Sequence, residues 1–138
     1  MASGKTFQLK IIASDKKFYS GPCEQIKLPC VDGSFGILPD HEPLCIAVDS
    51  GEVEFTVEGE AKIAAVGVGF AEIMPEFVTL LVDFAEWPEE IDVKRAEEAK
   101  LRAEERLRMQ KSQKEFVQSQ AAVSRAMARL KVSAKKKK

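Results

Sequence analysis

The stretch "IDVKRAEEAKLRAEERL", Ile91–Leu107, decides how the chain divides. Its Ala96, Ala99, Ala103 and Leu107 recur at steps of three and four, and helix-favouring Glu, Lys, Arg and Ala fill the other positions. The spacing predicts a helix whose inner stripe is mostly alanine. Such a stripe buries little area and lets another backbone come close, so the helix gains only modestly from packing. The stretch also holds the first arginines of the chain. None occurs in the preceding 94 residues, whereas Arg95, Arg102, Arg106 and Arg108 follow within about four turns of helix. Neighbouring glutamates, a ligand or a partner must neutralise them.

Upstream the period is different. From Phe7 to Val82 apolar residues tend to alternate, in "FQLKI", "EQIKL", "EVEFTV" and "VTLLV", as half-buried strands require. The segments "SDKK", "SGP", "VDGS", "DSGE", "EGE" and "MPE" read as turns between them. Many short strands at such spacing predict an antiparallel β-sandwich or flattened barrel. "AAVGVGFAEIM" alternates less regularly, and its Gly67 and Gly69 predict a bulge or a close crossing of backbones.

Downstream, "SQKE" (Ser112–Glu115) has the form of a capping box that opens a second helix, running through Phe116, Ala121, Ser124 and Ala128 to about Val132. The short connection predicts an antiparallel hairpin. The fold class is therefore α+β with segregated parts: an N-terminal antiparallel β-sandwich over residues 1–87, then a C-terminal antiparallel two-helix hairpin with a basic tail over residues 88–138. Mutual repulsion is expected to keep the tail, Lys135–Lys138, disordered.

Charge follows the same division. Residues 1–87 carry 6 Lys, no Arg and 14 acids, a net of -8, while residues 88–138 carry 15 basic residues and 8 acids, a net of +7. The basic half is expected to meet something anionic. Cys23, Cys30 and Cys45 are odd in number and lack metal-ligand spacing, which argues against a disulfide framework. No apolar run approaches the roughly 20 residues of a spanning helix, and "MASGKTFQLK" has no apolar leader core, so direct membrane insertion is not expected. The lone His41 lacks a companion nucleophile or metal cluster and is expected in a surface loop. The glycines of "DGSFG" and "GVGF" match no phosphate-binding loop. Nothing in the chain suggests a catalytic centre, and the basic residues lack the interleaved aromatic platform of a nucleic-acid binder.

Helical geometry groups the arginines. Arg95 and Arg102 are seven residues apart and share one side of the first helix with Asp92, while Arg125 and Arg129 form an i, i+4 pair on the second. A hairpin closed on those faces would gather four guanidinium groups around one volume, suited to the oxygens of a polyphosphate. The competing reading is a solvated face in which Glu98 with Arg102, Glu104 with Arg108, and Glu105 with Arg106 or Arg108 form ordinary surface pairs, each contributing roughly 0.2–0.5 kcal/mol.

The segment "VDGSFGILPDHEPL", Val31–Leu44, resembles the G-x-x-G-I-L-P-x-H-x-P-L loop signature of the epsilon subunit of bacterial F-type ATP synthase. The similarity extends in order from about Phe7 to Val132, through "LKIIASDKKFYSG", "GVGFAEIMPEFVTLLVD", "IDVKRAEEAKLRAEERL" and "SRAMARL". Ser34 stands where many members carry an acid. The resemblance implies a non-catalytic subunit, peripheral on the cytoplasmic face of the bacterial cell membrane. Its sandwich would dock on the gamma subunit and the c-ring, with Ile37, Leu38, Pro39 and His41 at the rotor-facing end.

The resemblance further implies that the C-terminal helices are a mobile inhibitor of ATP hydrolysis. Folded on the sandwich they permit turnover; extended along gamma among the alpha and beta subunits, where they meet an acidic segment of beta, they obstruct it. In a subset of members the folded hairpin binds ATP as an unhydrolysed regulatory ligand through an I/L-D-x-x-R-A motif, which "IDVKRA" matches in full. The implied contacts are Glu86, Ile91, Asp92, Arg95, Ala96, Arg102, Arg125 and Arg129. The alternative within the same complex is a purely structural coupling subunit that senses no nucleotide.

Overall fold

A computed structural model describes residues 5–109 and 113–135. Ten strands come first: β1 (Phe7–Ala13), β2 (Lys17–Cys23), β3 (Gln25–Cys30), β4 (Gly33–Ile37), β5 (Leu44–Val48), β6 (Gly51–Val57), β7 (Glu60–Val66), β8 (Gly69–Ile73), β9 (Phe77–Val82) and β10 (Ala85–Glu86). A single 3-10 turn (Pro88–Glu90) leads into α1 (Val93–Met109), and α2 spans Gln113–Ser133. The strands form two five-stranded sheets, ordered β2-β1-β9-β8-β5 and β10-β7-β6-β3-β4. The expected sandwich followed by a two-helix hairpin is what the chain forms.

The alternation of the sequence produces the core. On β1, Phe7, Leu9, Ile11 and Ala13 all face inward, and they meet Ile26, Leu28, Val53, Phe55, Ile73 and Leu80 from both sheets. Most strand pairs are antiparallel, but β1 runs parallel to β9, with Leu9 opposite Val78 and Ile11 opposite Leu80. A parallel pair needs a long crossover, and here the excursion through β2–β8 supplies it.

Two local expectations change. "SGP" is not a turn: Ser20, Gly21 and Pro22 lie inside β2, paired with Lys10, Leu9 and Gln8. Because β2 is an edge strand, the missing amide of Pro22 costs the ladder nothing on its open side. The basic tail begins ordered, since Lys135 forms an ion pair at 2.7 Å with Glu52 on β6. Local repulsion loses to a nearby carboxylate. Lys136–Lys138, and the Ser112 of the capping box, lie outside the described residues.

The irregular segment around Gly67 and Gly69 is a close crossing, as its glycines suggest. A Cβ on Gly69 would collide with the Leu81 carbonyl oxygen, and one on Gly67 would lie 2.7 Å from the Phe84 ring. Alternation fails just before them because β7 is covered on both faces: Ala64 and Val66 enter the sandwich core, while Ala65 and Ile63 pack beneath the helices. A strand covered on both sides reads as a continuous apolar run. Among the described residues, no helix is long and apolar enough to cross a membrane.

The hairpin lies on the outer face of the second sheet, with α2 against β6 and β7. A small second core of Ala65, Ile91 and Val132, flanked by Ile63 and Phe84, joins the two parts. The buried positions of the helices are mostly small, Ala96 and Ala103 on α1 and Ser119, Ala126 and Ala128 beside Val132 on α2. Each alanine methyl contributes only about 0.8 kcal/mol on burial, so the clasp is close but weak.

Candidate functional site

The linker fixes where the first arginine points. Trp87 stacks on Phe18 with ring centroids 4.4 Å apart, tying the end of the sandwich down. The Glu90 carboxylate then folds back to accept from the Trp87 amide at 2.9 Å. Ile91, only 5% exposed, is sunk in the small core. Asp92 caps α1, its Oδ1 accepting from the Arg95 amide at 3.0 Å. The first two residues of "IDVKRA" thus anchor and start the helix, and the Arg95 side chain is aimed as a result.

Between the helices lies a cavity of about 530 Å³, lined at its sandwich end by Glu86, Glu90 and Asp92. Ala96, Ala99, Ala122 and Ala126 form an apolar floor, and Arg95, Arg102, Arg106, Arg125 and Arg129 supply the guanidinium groups. The fold therefore gathers Glu86, Asp92, Arg95, Ala96, Arg102, Arg125 and Arg129 in one place. Ile91 does not line the cavity; its side chain takes the inward position at the helix start.

Charge is unevenly balanced. Arg129 is engaged: its Nε donates to Glu86 Oε1 at 2.7 Å, and its guanidinium lies 3.8 Å from the centroid of the Phe84 ring. Among the described residues, no carboxylate oxygen lies within 4.0 Å of the Arg95, Arg102, Arg106 or Arg125 guanidinium groups. The surface pairs of Glu98 with Arg102, and of Glu104 and Glu105 with Arg106 and Arg108, do not form. Four guanidinium groups around an apolar floor have the charge and surface suited to an anion with a flat apolar portion. Arg106 also lines the cavity and was not among the expected site residues, although its i, i+4 relation to Arg102 puts the two on one face of α1 and was the signal that could have found it.

At the far end of the sandwich, Ile37 is 1% exposed and belongs to the core, since the last position of β4 faces inward. Leu38 is 62% exposed, and His41 sets its ring edge-on to Phe35, with centroids 5.9 Å apart. The His41 Nδ1 donates to the Glu42 carbonyl at 2.7 Å. A second surface feature was missed by periodicity. Ile12, Leu81, Phe70 and Ala47 are register partners in one row across β1, β9, β8 and β5, on the face opposite the hairpin. Phe70 and Leu81 are exposed there by 61% and 50%.

The fold and the cavity define a class: a β-sandwich platform bearing a helical hairpin with a guanidinium-lined cavity. Comparison with known proteins places it further. Residues 6–88 match the beta-sandwich domain of the ATP synthase delta/epsilon chain, and residues 89–134 match its long alpha-helix domain. The chain belongs to the ATP synthase delta/epsilon chain family. It is 43% identical over 132 residues to the ATP synthase epsilon chain of Caldanaerobacter subterraneus subsp. tengcongensis, covering 95% of this chain and 96% of that one. It is 46% identical over 125 residues to the ATP synthase epsilon chain of Ruminiclostridium cellulolyticum, covering 91% and 93%. A chain of the Euglena gracilis mitochondrial ATP synthase shares the fold with a TM-score of 0.79 at 20% identity, over 96% of this chain and 85% of that chain.

Proposed function

We propose that the chain is a non-catalytic epsilon subunit of the central stalk of a rotary ATP synthase, whose hairpin inhibits ATP hydrolysis when extended and is held folded by ATP. The names of its relatives support the stalk assignment. The single observation that carries the nucleotide part is the cluster of Arg95, Arg102, Arg106 and Arg125 around one cavity, with no carboxylate partner within 4.0 Å among the described residues.

The cavity has a direction. Glu86, Glu90 and Asp92 stand at the sandwich end, where carboxylates accept from an exocyclic amine or a ribose hydroxyl. The alanine floor offers an apolar face to a purine ring. Arg102, Arg106 and Arg125 lie further along the hairpin, where they meet the phosphates in the bidentate manner of guanidinium groups. Because the ligand bridges α1 and α2, it binds the closed hairpin alone. At a nucleotide concentration about 100-fold above Kd, the closed form gains about 2.7 kcal/mol, comparable with a clasp of a few alanine methyls.

The exposed row through Phe70 and Leu81 supports docking of the sandwich on a stalk partner, the gamma subunit, with the Leu38–His41 end toward the c-ring. The test is ATP hydrolysis by a reconstituted complex containing this chain. Inhibition should appear at low ATP, fade at high ATP, and disappear when residues 88–138 are removed. If the helices inhibit equally at all ATP concentrations and the isolated chain binds no nucleotide at millimolar ATP, the hairpin couples without sensing.

A further inference from the structure

Glu52 on β6, Ala65 on β7 and Glu86 on β10 are register partners in a single row of the second sheet, facing the hairpin. Two acids therefore flank one small residue. Along α2 and its terminal turn, Arg129, Val132 and Lys135 recur at steps of three. Arg129 holds Glu86 at 2.7 Å, Val132 packs with Ala65, and Lys135 holds Glu52 at 2.7 Å. The spans agree: six residues of helix advance about 9 Å, and two strand spacings cover about 9.5 Å.

We infer that this Glu–Ala–Glu row is a docking register for α2, and that its Glu52–Lys135 prong is a latch holding the hairpin closed independently of ligand. It rests on the hairpin being the movable element of the proposed function. Ala65 lets the helix come down between the acids, and a larger residue there would lift both prongs. The Arg129 prong borders the nucleotide cavity, whereas the Lys135 prong stands apart from it. Glu52 Oε1 is buried and accepts no hydrogen bond among the described residues, so the Lys135 ammonium, 2.7 Å away as an ion pair, is the charge that faces it. Releasing Lys135 thus leaves a buried carboxylate oxygen unpaired, which is costlier than losing a surface pair. The latch is also asymmetric, because Lys135 is half exposed while Glu52 keeps only 12% of its side-chain surface.

Hydrogen exchange on the full chain without nucleotide tests this, so that failure of nucleotide binding cannot be mistaken for failure of the latch. Lys135→Gln should speed exchange of the last two turns of α2 about fivefold, with β1 and β9 unchanged as a control for folding. Glu52→Gln in the same chain should recover part of that protection, because it removes the stranded charge. Unchanged α2 exchange in Lys135→Gln, or a double variant as open as the two single effects combined, overturns the latch.

Discussion

Arg129 and Glu86 are 43 residues apart in the chain and 2.7 Å apart in space, guanidinium Nε against carboxylate Oε1. The pair ties the hairpin to the last strand of the sandwich, and Phe84 supports it from the ring face. Both residues of the pair line the cavity, so Arg129 is already engaged by Glu86 and Phe84 in the folded hairpin. The other guanidinium groups are held in reserve.

This division separates two kinds of variant. Arg129→Ala should weaken ATP binding and also speed hydrogen exchange in α2 without nucleotide, by roughly fivefold, since a part-buried pair and a cation–π contact are lost together. Calorimetry and exchange on the same protein check both effects. A change in binding alone would mean that Glu86 does not hold the helix.

Arg95→Ala and Arg125→Ala should behave otherwise. Each removes a charge-assisted contact to the proposed nucleotide and should lower ATP affinity about tenfold or more. Neither guanidinium has a carboxylate partner within 4.0 Å among the described residues, so the free hairpin should lose nothing and gain slightly from reduced repulsion. Thermal unfolding without nucleotide should show a midpoint equal to or above that of the parent chain.

Gly69→Ala tests the backbone crossing. The added methyl would meet the Leu81 carbonyl in the β8–β9 ladder, and neither strand can yield without parting the sheet. A loss of about 3 kcal/mol or more is expected, measured as a shift in urea midpoint.

The thiols give a pH dependence. Burial pushes the Cys23 thiol up to about 11 from its usual 9.0. Since the folded state favours the neutral thiol, its contribution to stability is complete below about pH 9 and is lost as pH rises through about 11. The urea midpoint of Cys23→Ala, lower overall because of the cavity, should fall less steeply over that window. Cys45 is exposed, so maleimide at neutral pH should label it while sparing buried Cys23 until unfolding.

Much of the fold was legible because period two and period three-to-four are written directly in side-chain order. The arginine faces were legible for the same reason: Arg95 with Arg102, and Arg125 with Arg129, are fixed by helix pitch alone. Features set by strand register were not. Nothing in the sequence announces that Glu52, Ala65 and Glu86 form one row, or that Ile12, Leu81, Phe70 and Ala47 form another. "SGP" misled because turn chemistry and edge-strand tolerance share the same residues, and only sheet order distinguishes them. Ile91 and Asp92 stand within the motif yet serve the helix start, a division visible once burial and the cap to Arg95 are known.

The central claim is that ATP closes the hairpin by bridging guanidinium groups of both helices, and one titration addresses it most directly. ATP is added to the full chain while binding heat and hydrogen exchange of α1 and α2 are followed together. The account predicts saturable binding accompanied by slower exchange in both helices, with both signals lost together in Arg125→Ala. Exchange that is unaltered by millimolar ATP, in either helix, would contradict it.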